Sequence, residues 1–195
     1  MARFNRVKTN RLDVFRNIDV RGSQMPASYG AGALGTVFGP KKWQWSENGN
    51  IITELHVDIT GLACVGTAAN DVIGLAAGGA AYLDRVVTAT HGLIYRAEML
   101  CLEVPGEGTA TITADIDLSY DTLATLIYDG ATDGPAITSG GSWTVGKLVV
   151  VEDCGTVFAA NNYLYLGEGD AAATTGVYNA GQFIIRLYGH AALAA

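Results

Sequence analysis

From residue 51 onward the chain alternates with a period of two. Ile51, Leu55, Val57 and Ile59 alternate with Glu54, His56 and Asp58, the pattern of a strand with one face in a core and one in water. Ala110, Ile112, Ala114, Ile116 and Leu118 alternate in the same way with Thr109, Thr111, Thr113, Asp115 and Asp117. Residues 92–104 (GLIYRAEMLCLEV) read as a long strand whose phase slips near Glu98–Leu100, which predicts a bulge or bend there. Residues 143–151 and 181–188 give two further strands, and 71–75, 80–88, 123–128, 155–159 and 163–166 give shorter ones. No window is a convincing amphipathic helix; 119–128 is the best helical alternative. Turn signals at Glu47–Asn50, Gly78–Gly79, Pro105–Gly108, Asp129–Pro135, Ser139–Ser142 and Gly167–Asp170 separate the strands. About eight short strands at this spacing predict an all-β fold, an antiparallel β-sandwich or jelly roll.

Before residue 51 the periodicity stops and the charge changes sign. Residues 1–50 carry eight bases and three acids, a net of +5, whereas residues 51–195 carry four bases and sixteen acids, a net of −12. The sequence therefore divides into a basic, irregular N-terminal arm (1–50) and a β-sandwich body (51–195). The run 22–40 is rich in Gly, Ala and Ser and bounded by prolines, as an extended arm would be. Fully stretched, about 35 residues reach about 115 Å, far enough to touch neighbouring molecules.

The body is apolar and poor in charge. Hydrophobic residues make up 49% of the chain and charged residues 16%, against about 25% charged in ordinary globular proteins. Such a surface predicts burial against copies of the same chain or against a partner. Cys64, Cys101 and Cys154 are odd in number and widely spaced, so they predict small apolar packing residues rather than a disulfide framework, and a reducing folding compartment. Asn, Asp and Arg interrupt every apolar run near the N-terminus, and Gly74–Leu83 is too short to span a bilayer. No membrane partner is expected.

Motifs for chemistry are weak. Gly30, Gly32 and Gly35 match G-x-G-x-x-G, but Pro26 lies before them and Pro40 after. The strand and helix that a dinucleotide site requires are missing. Asp115, Asp117, Ser119 and Asp121 resemble the start of a calcium loop, yet Tyr120 replaces the required glycine and Leu126 the closing glutamate; the pair Asp115/Asp117 reads as a solvated face. His56, His91 and His190 lack metal-ligand spacing and read as surface or interface residues. No nucleophile motif is present, and Ser142 reads as a turn residue. The expectation is a protein that is not an enzyme, with no metal and no cofactor.

The arm supplies the candidate binding residues. Arg3, Arg6, Lys8, Arg11, Arg16 and Arg21 are interspersed with Leu12, Val14, Phe15, Ile18 and Val20. A nucleic-acid tail would be a denser basic run, so a nucleic-acid partner is disfavoured. Bases diluted by apolar residues fit docking on an acidic protein surface, with apolar contacts adding to ion pairs of about 0–1 kcal/mol each. Alternation in Lys41–Trp45 puts Trp43 and Trp45 on one side of an extended segment, an aromatic latch between arm and body or neighbour. The alternative is a carbohydrate site lined by Trp43, Trp45, Trp143, Tyr163 and Tyr165.

Four stretches carry a resemblance: ITELHVDITG at 52–61, AEMLCLEVPG at 97–106, NYLYLG at 162–167 and AGQFIIRLYG at 180–189. They resemble small structural proteins of tailed bacteriophages, particularly marine and proteobacterial phages, over about residues 50–189. The resemblance implies a virion component, and within that class a capsid decoration (cement) protein. Such a protein folds in the host cytoplasm, sits on the capsid exterior as a homotrimer and binds the major capsid protein. A carbohydrate- or receptor-binding module of a tail or head fibre is the alternative.

Overall fold

The computed structural model describes residues 41–64, 72–74, 81–107, 115–124, 135–138, 141–154, 158, 161–169 and 176–190. Among these residues, ten strands and one helical turn follow one another: β1 (Lys41–Glu47), β2 (Asn50–Asp58), β3 (Ala63–Cys64), β4 (Asp84–Arg85), α1 (Thr88–His91), β5 (Leu93–Glu107), β6 (Ile116–Asp121), β7 (Pro135–Ile137), β8 (Leu148–Glu152), β9 (Tyr163–Glu168) and β10 (Gly176–His190). They form two antiparallel sheets. The first has the order β1-β2-β10-β5-β8, with β3 also on β10, and the second β4-β9-β6-β7. The expectation of an all-β chain built from antiparallel strands holds.

One hydrophobic core draws on both sheets. Leu55, Val57 and Ile59 of β2, Ala97, Met99 and Cys101 of β5, and Phe183, Ile185 and Leu187 of β10 meet Ile116, Leu118, Ile137, Leu164 and Leu166 of the second sheet. Each fully buried Leu, Ile or Phe contributes about 1.5–3 kcal/mol. Trp143 fastens the two sheets. Its indole N–H donates to the Ile116 carbonyl at 2.7 Å, and its ring meets Phe183 edge-on at 5.4 Å.

Residues 41–50, read from the sequence as the end of the arm, are the first hairpin of the body. β1 pairs with β2 in continuous register from Lys41↔His56 to Glu47↔Asn50. Asn48 (φ 51°) and Gly49 (φ 81°) form the tight turn, and two positive φ values are what a two-residue hairpin with the strand's own twist needs. The turn signal was legible, but a mainly polar strand (KKWQWSE) gave no apolar alternation to mark it.

The expected bulge at Glu98–Leu100 is absent. Arg96 to Leu100 pair without interruption with β8 and with β10, and Arg96, Glu98 and Leu100 share the outer face. One register shift lies before this stretch, at Tyr188–Gly189, and a longer irregularity beyond it, where Cys101–Glu107 meet Tyr178–Phe183. Gly181, at φ +136°, absorbs it; a Cβ there would come within 2.7 Å of the Ile59 side chain. The apparent slip is a change in the chemistry of the outer face, from charged at Glu98 to apolar at Leu100.

Other short-strand expectations divide. Residues 163–166 belong to β9, 80–88 holds only the two-residue β4 before α1, and 71–75 holds an isolated bridge from Val72 to Gly167. Residues 119–121, the start of the helical alternative, are strand. Most of 109–118 lies outside the described residues. Asp117, expected on a solvated face, is buried.

Candidate functional site

The first sheet presents two kinds of polar surface. On its inner side, at the edge, Lys42 of β1 reaches under the sheet to Asp84 of β4. The Lys42 Nζ lies 2.6 Å from Asp84 Oδ2, with side-chain exposures of 10% and 1%. His91, held by the single turn α1, closes the cluster, with Nε2 at 3.1 Å from Asp84 Oδ2 and 3.0 Å from Lys42 Nζ. The Val87 amide donates to His91 Nδ1 at 2.9 Å. Burial raises the Asp84 carboxyl, but the His91 hydrogen bond and the Lys42 charge outweigh it and hold the group below the ordinary carboxylate range. Next to Lys42 on this side, the Gln44 amide donates to Thr53 Oγ1 at 2.9 Å and to the Thr90 carbonyl at 2.8 Å. These contacts bind β1 to α1 and to the second sheet.

On the outer side, register aligns charges across the strands. Arg186 of β10 stands between Glu54 of β2 and Glu98 of β5. Its Nε donates to Glu54 Oε2 at 2.6 Å, and His56 meets the other Glu54 oxygen at 2.7 Å. Burial raises the Glu54 carboxyl, yet hydrogen bonds from Arg186 and His56 bring it below its ordinary range. Arg96 donates to Glu98 at 2.5 Å and lies 3.1 Å from Glu152 of β8. The Tyr188 hydroxyl donates to the second Glu98 oxygen at 3.0 Å. Burial, with this bond, pushes the Tyr188 phenol up.

Beyond this ladder the outer face turns apolar on β5 and β8, while Lys41, His56, Asp58 and Gln182 continue the polar surface on the other strands. Leu100 is the direct cross-strand partner of Ile184 and of Leu148. Leu102, Val104, Leu148 and Val150 are exposed. A cleft of about 320 Å³ borders this patch, lined by Lys41, His56, Val57, Asp58, Leu102, Gln182 and Phe183. It joins the first residue of β1 to the apolar end of β5.

The sequence-derived candidates scatter. Arg3, Arg6, Lys8, Arg11, Arg16 and Arg21 lie outside the described residues. Trp43 and Trp45 share the outer face of β1, both half-buried, and Trp43 stacks edge-on with His56 at 4.4 Å. The aromatic residues named for a sugar site do not come together. Trp143 is in the core, and Tyr165 is buried with its hydroxyl donating to the Leu123 carbonyl. Tyr163 packs on Tyr82 at 4.8 Å. A side chain enclosed on all faces has none to offer a sugar ring, so that lining is corrected.

The histidines are equally separate. His56 belongs to the ladder, His91 to the buried cluster rather than to a surface, and His190 stacks on Tyr95 at 4.3 Å. Among the described residues no three His, Cys, Asp or Glu side chains are placed to hold a metal ion, and no helix is long and apolar enough to cross a membrane. The three cysteines, Cys64, Cys101 and Cys154, are buried. Burial pushes the Cys154 thiol up to about 11 and raises the Cys101 thiol as well, which suppresses the thiolate that reactivity requires.

Sequence reasoning missed the Lys42–Asp84–His91 cluster altogether. Its members sit 42 and 7 positions apart in the chain, on three elements that only the tertiary fold brings together. No protein-family model, curated protein or solved structure matches this chain.

Proposed function

We propose that this protein is a structural virion component of a tailed bacteriophage that decorates and stabilises the capsid. In this reading residues 1–21 bind the major capsid protein. The body, a β-sandwich of jelly-roll type, oligomerises on the capsid exterior as a trimer.

The observation that carries the reading is where the positive charge is used. All four bases of residues 51–195 are engaged inside the body. Arg85 donates to Asn161, Arg96 pairs with Glu98 and Glu152, Lys147 lies over the Trp143 ring, and Arg186 pairs with Glu54. Lys42 is likewise held by Asp84. The chain's concentrated positive charge therefore resides in residues 1–21, where six bases and two acids give +4. An acidic body with its bases committed and a basic leading segment suits a protein tethered by one end to an acidic protein surface. Six exposed ion pairs give a few kcal/mol at most and weaken with salt, so symmetric repetition supplies avidity. A ligand that binds only the mature shell stabilises that state by linkage.

The test is co-sedimentation with assembled shells. A protein lacking residues 1–21 is expected to keep the β-rich circular dichroism of the full chain and to lose shell binding. Unchanged binding by the shortened protein would overturn the reading.

A further inference from the structure

We propose that Lys42 and Asp84 become covalently cross-linked: an amide bond forms between Lys42 Nζ and Asp84 Cγ inside the folded chain, with His91 as the proton carrier. The inference stands on the enclosed cluster alone and is independent of the capsid reading, which rests on residues 1–21.

Enclosure sets this pair apart. The Lys42 and Asp84 side chains are 10% and 1% exposed, with Nζ and Oδ2 2.6 Å apart. Outside this cluster, every ion pair among the described residues has a partner that is 36% exposed or more. Leu83 and Val86 are buried beside Asp84 in the chain, and the buried Leu164 is its cross-strand partner. Charges held among such residues are costly. Passing one proton from Nζ to Oδ2 removes both charges and leaves a neutral amine and a neutral acid, the forms that condense. A lysine freed of its charge in an enclosed site is a nucleophile. The fold holds it at contact with its target, which converts a bimolecular step into an intramolecular one.

The remaining contacts of the cluster suit the same reaction. Asp84 Oδ1 accepts the Arg85 amide at 2.8 Å, so the oxygen that stays on the carbon already faces a donor. His91 Nε2 lies 3.0 Å from Nζ, which must shed protons, and 3.1 Å from Oδ2, which must gain them. The imidazole has partners in either tautomer. With its proton on Nε2, it donates to Asp84 and accepts the Val87 amide on Nδ1 at 2.9 Å. With its proton on Nδ1, it donates to the Val87 carbonyl at 3.2 Å and accepts from Lys42.

The bond forms from the second tautomer. Nζ first gives one proton to Oδ2. Its freed lone pair then attacks Cγ, and the negative charge that develops on Oδ1 is met by the Arg85 amide. Nε2 takes a second proton from Nζ and hands it to Oδ2. The Cγ–Oδ2 bond breaks, Oδ2 leaves as water, and Oδ1 regains its double bond to carbon as the amide oxygen. Two protons have moved from Nζ to Oδ2, His91 is unchanged, and no oxidant or co-reactant is consumed. The chain folds with the ion pair, and the amide forms from it afterwards. The link ties β1, at the edge of the first sheet, to β4, at the edge of the second, and closes the loop between them against unfolding.

The experiment is mass spectrometry of the unaltered full chain. After storage at neutral pH, the intact protein is expected to be lighter than its sequence by one water. Chymotrypsin cuts after Trp43, Trp45, Leu55 and Tyr82, which lie between the two positions. The denatured, digested protein is therefore expected to yield the Lys42 and Asp84 fragments as one branched peptide. An intact chain at its full sequence mass, or a water lost without the branched peptide, would overturn the inference. Lys42→Arg keeps the positive charge but removes the amine, and is expected to retain its full mass. Loss of the same water from that variant would place the condensation elsewhere and end the proposal. His91→Gln keeps a polar side chain that cannot carry the proton, and is expected to remain mostly unlinked when the unaltered protein is fully linked. Complete linkage in it would remove His91 from the reaction. The first measurement needs no variant, so a variant that fails to fold leaves the decision intact.

Discussion

Asp84 and Glu54 are both acids held below their ordinary range by neighbouring bases, but they sit on opposite sides of the first sheet. Asp84 is enclosed, with Lys42 and His91 as its partners on the inner side. Glu54 is on the outer face, between Arg186 and His56, which are each 38% exposed. The geometry is alike and the distances are equal, at 2.6 Å for each acid to its main base. What differs is water. Removing one partner from an enclosed pair strands a charge with nothing to solvate it, whereas an outer partner is replaced by solvent. The inner cluster therefore fixes where β1 sits, and the outer ladder chiefly keeps the sheet face polar.

The largest expected effect breaks the inner cluster. Lys42→Met leaves the Asp84 carboxylate enclosed with His91 and is expected to cost about 3–5 kcal/mol in urea unfolding. The Lys42→Met, Asp84→Asn double variant removes both charges, and its cost should fall short of the sum of the two single costs by about 1–3 kcal/mol. A sum that adds without coupling would mean that the two groups do not act as a pair.

A smaller effect separates the two acids by pH. Both carboxyls are lowered in the folded protein. Each therefore contributes stability that is present above the unfolded carboxylate range, about pH 4, and is lost as pH falls through the folded value. Stability measured from pH 6 downward should decline below about pH 4, and Asp84→Asn should flatten that decline more than Glu54→Gln does. The reverse order would make the outer ladder the tighter of the two.

The smallest effect is Glu54→Gln at neutral pH, expected to cost about 0.5–1 kcal/mol and to shrink further in high salt. A loss as large as that of Lys42→Met would erase the distinction between the two sides.

The strands whose inner faces are uniformly apolar were readable before folding. Residues 51–59 announce β2, and 181–188 announce the centre of β10, because Leu55, Val57, Phe183, Ile185 and Leu187 all enter one core. β1 was not readable as a strand of the body, because its inward side chains, Lys42 and Gln44, satisfy themselves with polar partners rather than by apolar burial. β5 was readable as a strand but not in its details. Glu98 looks like a break in the apolar pattern, yet it is paired with Arg96 and Tyr188 in an unbroken ladder.

By itself the sequence determined the all-β character of the chain, the core faces of its long strands and the division between a basic leading segment and an acidic body. These follow from local alternation and composition, which each short stretch carries alone. Only the tertiary structure decided that Lys42 belongs with Asp84 and His91, that Trp143 and Tyr165 are core, and that the outer face turns from charged to apolar at Leu100. Those facts depend on which strands become neighbours and in what register, and pairing across dozens of residues is set by the whole core rather than by any one segment.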